Sequence, residues 1–191
     1  MTTIAWTPGC FAADTCVTHE DGDGNPGHRT FAQKLQLRRL KLSRGAPEQV
    51  IALASKGDAS AGTALDELVL EQLIACLRSR SRTPLERAMN RAALVRRRRE
   101  ITRDVEVAQL ITWWHDETDE CFLIEEHGLF KAVTEPYIAI GSDAAAAYGS
   151  LRAGKDALFA VESAALYGCY TSKPIHYLIR SADGVEFRTL T

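Results

Sequence analysis

Apolar positions change their spacing several times along the chain, and each change marks an element. Residues 2–6 and 10–17 are short apolar runs on either side of Pro8-Gly9, which predicts a hairpin over 2–18. From Phe31 to Leu42 the pattern alternates: Phe31, Gln33, Leu35, Leu37 and Arg39 fall on one side, Ala32, Lys34, Gln36 and Arg38 on the other. That is strand periodicity. Residues 49–54 form an apolar strand. Asp58 then reads as a helix N-cap, because Ala61, Ala64, Leu65, Leu68, Leu70, Leu73, Ile74 and Leu77 follow at helical spacing. Thr83-Pro84 opens a second helix that runs to about residue 98, with proline at its first position.

The second half repeats this order. Residues 107–115 read as a strand, 121–125 and 129–133 as a hairpin around His127-Gly128, and 136–140 as another strand. Gly141-Ser142 leads into an alanine-rich helix, and Gly154 precedes a further helix over 155–167. The chain ends in a hairpin, 174–180 and 185–190, around Ala182-Asp183-Gly184. Strands, two helices and strands therefore occur twice, with no linker or compositional break. The expected fold class is α+β: a four-layer α-β-β-α sandwich with two mainly antiparallel sheets between helix pairs, in one domain over residues 1–191.

Composition narrows the context. A net charge of −2 on 191 residues gives no global attraction to nucleic acid or to a membrane. The five cysteines, Cys10, Cys16, Cys76, Cys121 and Cys169, contain no CxxC pair, which argues against a disulfide framework or zinc site and for a reducing cytoplasm. The start lacks the pattern of a signal peptide, and no apolar run approaches the ~18 residues of a membrane span. Asp21, Asp23 and Asn25 imitate the opening of a calcium loop. Pro26 takes the place of its glycine and Ala32 that of its closing glutamate, so a solvated loop is expected.

The candidate chemistry lies at the start. Removal of Met1, which the small threonine after it favours, leaves Thr2 with a hydroxyl and a free α-amine. Such an amine titrates near ~8 and accepts the hydroxyl proton, so one residue is nucleophile and base. Several segments then occur in one order: Thr2-Thr3-Ile4-Ala5, Ala12-Ala13-Asp14-Thr15, the lysine of Gln33-Lys34-Leu35, Gly57-Asp58-Ala59-Ser60, Ile138-Ala139-Ile140-Gly141-Ser142 and Tyr170-Thr171. Together they resemble the proteasome β-subunit and HslV peptidase family of N-terminal-nucleophile (Ntn) hydrolases, with the small bacterial proteasome homologues closest in pattern.

The resemblance implies a self-compartmentalising threonine peptidase. Thr2 is its nucleophile, Lys34 the cation that lowers the nucleophile's pKa, Asp14 the carboxylate that anchors Lys34, and Ser142 the hydroxyl beside the terminal amine. The oxyanion donor is a backbone N–H at Ser55 or Lys56. Backbone carbonyls of Ala165, Gly168 and Thr171 resemble a cation site. No cofactor is required, and a monovalent or divalent cation is the one candidate. The implied partners are homo-oligomeric stacked rings, a polypeptide substrate and a separate AAA+ ATPase, since the chain has no ATP-binding motif; nucleic acid and membrane are not expected. The alternatives are a catalytically impaired ring or shell protein of the same fold, or an Ntn amidohydrolase for a small amide.

The chain departs from the pattern at three places. Lys56 stands at a turn where glycine is usual. Asp143 follows Ser142 where glycine is usual, which predicts an extra negative charge near the amine. Gly168 stands where many proteasome subunits carry an aspartate.

Ten arginines lie between Arg78 and Arg103, including Arg96-Arg97-Arg98-Arg99. They read as a solvated helix face, or as a ring contact with an acidic group at Asp116, Glu117, Asp119, Glu120, Glu125 and Glu126, and less well as a phosphate-binding patch. Trp113 and Trp114 are adjacent, so one indole lies on each side of their strand. His115 and His176 read as packed histidines.

Overall fold

The computed structural model describes residues 2–20, 26–31, 33–79, 83–125 and 127–191. Met1 and the calcium-loop mimic at 21–25 lie outside them. In chain order the strands are β1 (Thr3–Thr7), β2 (Cys10–Asp14), β3 (Cys16–Glu20), β4 (Pro26–Phe31), β5 (Leu35–Leu40) and β6 (Gln49–Gly57). Helices α1 (Ala59–Arg78), α2 (Leu85–Met89) and α3 (Ala92–Ile101) follow. Then come β7 (Val107–His115), β8 (Thr118–Ile124), β9 (Phe130–Ala132), β10 (Ile138–Gly141), α4 (Ala144–Arg152), α5 (Ala157–Tyr167), β11 (Ile175–Ser181) and β12 (Gly184–Leu190).

These elements form two compact units. The first comprises the chain up to Leu35 together with Glu135–Thr191, and the second is Gln36–Thr134. In the first, a five-stranded sheet has the order β10-β1-β2-β11-β12, with every neighbouring pair antiparallel. Helices α4 and α5 pack on it through small side chains. Ala5, Cys10, Ala12 and Ala139 of the sheet meet Ala147, Leu151, Ala160, Val161 and Ala164 of the helices. Short side chains let the layers approach closely, and the Oγ of Thr7 accepts the N–H of Ala157 at 3.2 Å. Ile4, Trp6, Phe11 and Ala13, the alternate positions of β1 and β2, are buried too, which is why these strands read as continuous apolar runs. The strands β3 and β4 make a separate two-stranded sheet.

The second unit is a five-stranded sheet of order β5-β6-β7-β8-β9 with its own core. Ile51, Leu53, Ile111, Phe122 and Ile124 of the sheet pack with Leu65, Val69 and Leu73 of α1 and with Met89. Phe122 and Phe130 stack at 4.6 Å. Of the two tryptophans, Trp114 is buried and Trp113 is half-buried, where it stacks on His115 at 3.8 Å.

Three expectations are corrected. The helix expected to run from 83 to about 98 is two helices. Asn90 breaks it: its side-chain amide donates to the carbonyl of Phe130 at 2.6 Å and accepts the N–H of Phe130 at 2.9 Å, which ties the break to β9. The strand expected over 31–42 is also two: β4 stops at Phe31 and β5 begins at Leu35, so Lys34 lies outside both ladders. The strand expected over 49–54 continues to Gly57, which pairs with Val107.

The arginine run is not a uniform patch either. Arg98 is fully buried. Its guanidinium donates to the carbonyls of Gly128 (2.7 Å) and Met89 (2.8 Å) and to Oε1 of Gln72 (3.1 Å). Arg99 donates to the carbonyl of His127 at 2.8 Å. The two pin the β8–β9 turn to α3. Burial lowers the Arg98 pKa to about 10, so it stays charged at neutral pH. Arg98→Leu leaves three buried acceptors unpaired and should cost about 3–5 kcal/mol, whereas exposed Arg97→Leu should stay within about 0.5 kcal/mol. Urea unfolding of both variants checks this.

Candidate active site

The first unit brings Thr2, Asp14 and Lys34 together. Thr2 immediately precedes β1 and is 4% exposed. Asp14 ends β2, where the chain breaks at Thr15: the Thr15 N–H and hydroxyl both donate to the carbonyl of Pro174, at 3.2 and 2.8 Å. Because Lys34 sits between β4 and β5, its side chain is free of strand alternation. Its Nζ lies 2.6 Å from the Thr2 Oγ and 3.2 Å from Asp14 Oδ1, and it also donates to the carbonyl of Cys16. Asp14 is fully buried and accepts two backbone N–H groups besides, Thr3 at 3.0 Å and Cys16 at 3.3 Å.

Burial works against both charges. It pulls the Lys34 ammonium below its ordinary value, with Asp14 pulling the other way. It pushes the Asp14 carboxyl up, opposed by Lys34 and by the Thr3 N–H. The arrangement can do one thing clearly: an ammonium held against a hydroxyl oxygen stabilises the alkoxide that forms there.

The peptide group between Thr2 and Thr3 is held at both ends. Its N–H donates to Asp14 Oδ1 at 3.0 Å, and its carbonyl accepts the N–H of Ser142 at 3.0 Å. Gly141 makes this approach possible: its φ is +118°, and a Cβ there would lie 1.7 Å from the Thr2 carbonyl oxygen. Ser142 itself is exposed and contributes a backbone contact here.

Asp143 does something the sequence did not suggest. Its carboxylate is turned onto the segment after α5. It accepts the N–H groups of Cys169 (3.1 Å), Tyr170 (2.8 Å) and Thr171 (2.7 Å) and the Thr171 hydroxyl (2.8 Å). Burial opposes its ionisation, but these bonds, the Thr171 hydroxyl foremost, outweigh it and hold the carboxyl below its ordinary value.

Ser55 and Lys56 belong to the second unit and lie within β6, paired with Gln109 and Ala108. Gly57, at φ +104°, turns the chain into α1, and Asp58 caps that helix by accepting the Ala61 N–H at 2.8 Å, as its position predicts. The Ser55 hydroxyl donates to Asp66 Oδ1 at 2.6 Å. Asp66 also accepts from the side chains of Gln36 and Gln109, and burial raises its pKa to about 6. Sequence reasoning missed this cluster. Its signal was a carboxylate inside the apolar stripe of α1, beside Leu65 and four residues before Leu70.

Ala165 lies in the last turn of α5, Gly168 caps that helix, and Thr171 follows. Carbonyl oxygens at the negative end of a helix suit a hard cation by chemistry. No group of three His, Cys, Asp or Glu that could hold a metal occurs among the described residues. His115 contacts Glu120 at 2.9 Å, and His176 has its Nδ1 buried; neither approaches the Thr2 cluster through a hydrogen bond.

Solved structures share this fold. An Anbu (Gly-1) mutant from Hyphomicrobium sp. strain MC1 aligns with a TM-score of 0.72 at 20% identity, covering 100% of this chain and 87% of that one. Anbu, labelled an ancestral beta-subunit, from Yersinia bercovieri aligns at 0.66 and 19%, covering 99% and 87%. The helical assembly of the Anbu complex from Pseudomonas aeruginosa aligns at 0.70 and 15%, covering 100% and 87%. No protein-family profile and no curated protein sequence matches the chain.

Proposed function

We propose that this chain is a subunit of a self-assembling, proteasome-like threonine peptidase of the cytoplasm, with Thr2 as nucleophile once Met1 is removed. The observation that carries this reading is the contact of Lys34 Nζ with Thr2 Oγ at 2.6 Å, backed by buried Asp14 at 3.2 Å. A lysine is seldom buried against a threonine for stability alone; the desolvation cost recorded in its lowered pKa needs a reason, and an activated hydroxyl supplies one.

The steps follow from the residues. The free α-amine of Thr2 takes the hydroxyl proton, directly or through water, while Lys34 holds the oxygen as it becomes anionic. The Oγ adds to the carbonyl carbon of a peptide bond. The C–N bond then breaks as the ammonium of Thr2 returns the proton to the leaving amine. Water, giving up a proton to the α-amine, adds to the carbonyl carbon of the resulting ester; the acyl C–Oγ bond breaks, the carboxylic acid leaves and the proton returns to Oγ as the hydroxyl. The oxyanion donor in this reading is a backbone N–H at the end of β6, that of Ser55 or Lys56. Ser142 we keep beside the terminal amine. The carbonyls of Ala165, Gly168 and Thr171 remain the place for a structural cation, and no step passes through it.

Self-assembly draws support from the fold shared with a protein that forms a helical assembly. Head-to-tail contacts give a ring when the rotation closes and an open helix when it does not. Either assembly would enclose or line the Thr2 sites, and a separate ATPase would deliver unfolded polypeptide. The test is turnover of fluorogenic peptides by the Met1-free protein. Turnover that depends on Thr2 supports the reading. An assembled, Met1-free protein that cleaves nothing and leaves Thr2 unmodified by peptide electrophiles would make it an idle shell.

A further inference from the structure

The hydrogen-bond directions around Asp143 are fixed by elementary donor counting. A carboxylate only accepts, so at 2.8 Å the Thr171 hydroxyl donates to Asp143 Oδ2. That commits the one hydroxyl proton of Thr171. At its 2.6 Å contact with the Thr3 Oγ, Thr171 must accept and Thr3 must donate. The Thr3 oxygen, its own proton committed, accepts the backbone N–H of Asp143 at 3.3 Å. The ring closes on itself with all its bonds running in one direction: Asp143 N–H to Thr3, Thr3 to Thr171, Thr171 to the Asp143 carboxylate. All three residues are buried. Such one-way rings polarise each member in the same sense, and their loss is felt by every member.

The ring touches the reactive threonine through the backbone. Thr3 supplies the N–H that Asp14 Oδ1 accepts, and that same oxygen faces Lys34 Nζ. Ser142, the neighbour of Asp143, supplies the N–H on the Thr2 carbonyl. Both clamps on the Thr2–Thr3 peptide therefore depend on where residue 143 sits. The seat for its carboxylate exists because residue 168 is glycine: a Cβ there would lie 2.3 Å from the Asp143 Cγ and 2.5 Å from the Ala164 carbonyl oxygen.

We propose that Asp143 is a positioning residue for Thr2, acting through a one-way hydrogen-bonded ring with Thr3 and Thr171 that is seated against Gly168. This rests on the reading of Thr2 as the nucleophile, and the test separates the two. Asp143→Ala, Thr171→Val, Thr171→Ser and Gly168→Ala are compared with the unaltered chain by peptide-resolved hydrogen exchange and by the rate at which a peptide epoxyketone labels Thr2. Loss of the ring in Asp143→Ala or Thr171→Val should speed exchange in residues 2–6 about tenfold and slow labelling about 10- to 100-fold. Thr171→Ser keeps the hydroxyl and should preserve both. Gly168→Ala displaces the carboxylate and should behave like Asp143→Ala. Should Asp143→Ala not fold, the Thr171 pair decides alone, since Thr171→Val keeps the shape and loses the hydroxyl while Thr171→Ser keeps the hydroxyl. Faster exchange confined to residues 169–171, with residues 2–6 and labelling unchanged, would overturn the proposal and leave Asp143 a local brace. An unaltered chain that never labels at Thr2 would instead refute the nucleophile, while the exchange of residues 2–6 would still decide whether the ring positions that strand.

Discussion

Thr2→Ala should lower peptide hydrolysis by about 10⁴-fold or more, with folding and assembly intact. The substitution removes the one atom the site is built around. The Thr2 Oγ receives the Lys34 ammonium at 2.6 Å. Removal leaves Lys34 its bonds to Asp14 and the Cys16 carbonyl, so the charge stays paired. The backbone clamps at Thr3 N–H and Thr2 carbonyl do not involve the lost side chain. The fold should therefore lose no more than about 1 kcal/mol, the net value of an ordinary hydrogen bond. A fluorogenic peptide assay beside a thermal melt checks both halves. Hydrolysis at the unaltered rate would remove Thr2 from the chemistry.

Lys34→Met should strike both activity and stability. Hydrolysis should fall by about 10²- to 10⁴-fold, because the developing alkoxide loses the cation beside it. Stability should fall by about 3–5 kcal/mol, because Asp14 at 0% exposure loses its counter-ion and must either carry an unpaired buried charge or take up a proton. Adding Asp14→Asn to Lys34→Met removes that orphaned charge. The double variant should recover part of the stability and none of the activity, which separates the two roles by urea unfolding and peptide assay. The intact site carries a pH signature as well. Since burial lowers the Lys34 pKa, the cation is lost earlier than on a free lysine as pH rises. Hydrolysis should decline on an alkaline limb below the ordinary lysine range of about 10.4, and Lys34→Met should show no such limb.

The grouping of Thr2, Asp14 and Lys34 was legible in the sequence through the order of its segments. Thr2, Asp14 and Lys34 are far apart in the chain, and only a known pattern joins them; composition and periodicity never would have. Periodicity ran a single strand through Lys34, because alternation reads through a break as readily as through a strand. The two helices at 85–101 read as one because the break at Asn90 is made by a side chain reaching β9, a contact that no local spacing encodes. Arg98 read as surface charge for the same reason: its acceptors are carbonyls of Met89 and Gly128, which have no residue signature.

Asp143 and Gly168 are the sharper lesson. Each looked like a separate departure from the proteasome pattern, one charge too many and one too few. In space they are one feature, a carboxylate resting where a side chain on residue 168 would be. Buried polar ties of this kind fix a single arrangement at the start of β1, where an ångström of slack would matter most for attack.

The most direct measurement is the intact mass of the purified protein before and after treatment with a peptide epoxyketone, with peptide mapping of the product. A nucleophilic Thr2 served by Lys34 predicts loss of Met1, one adduct per chain on Thr2, and labelling slowed by at least about 10²-fold in Lys34→Met. A Met1-free chain that stays unlabelled, or one labelled at another residue, would contradict it.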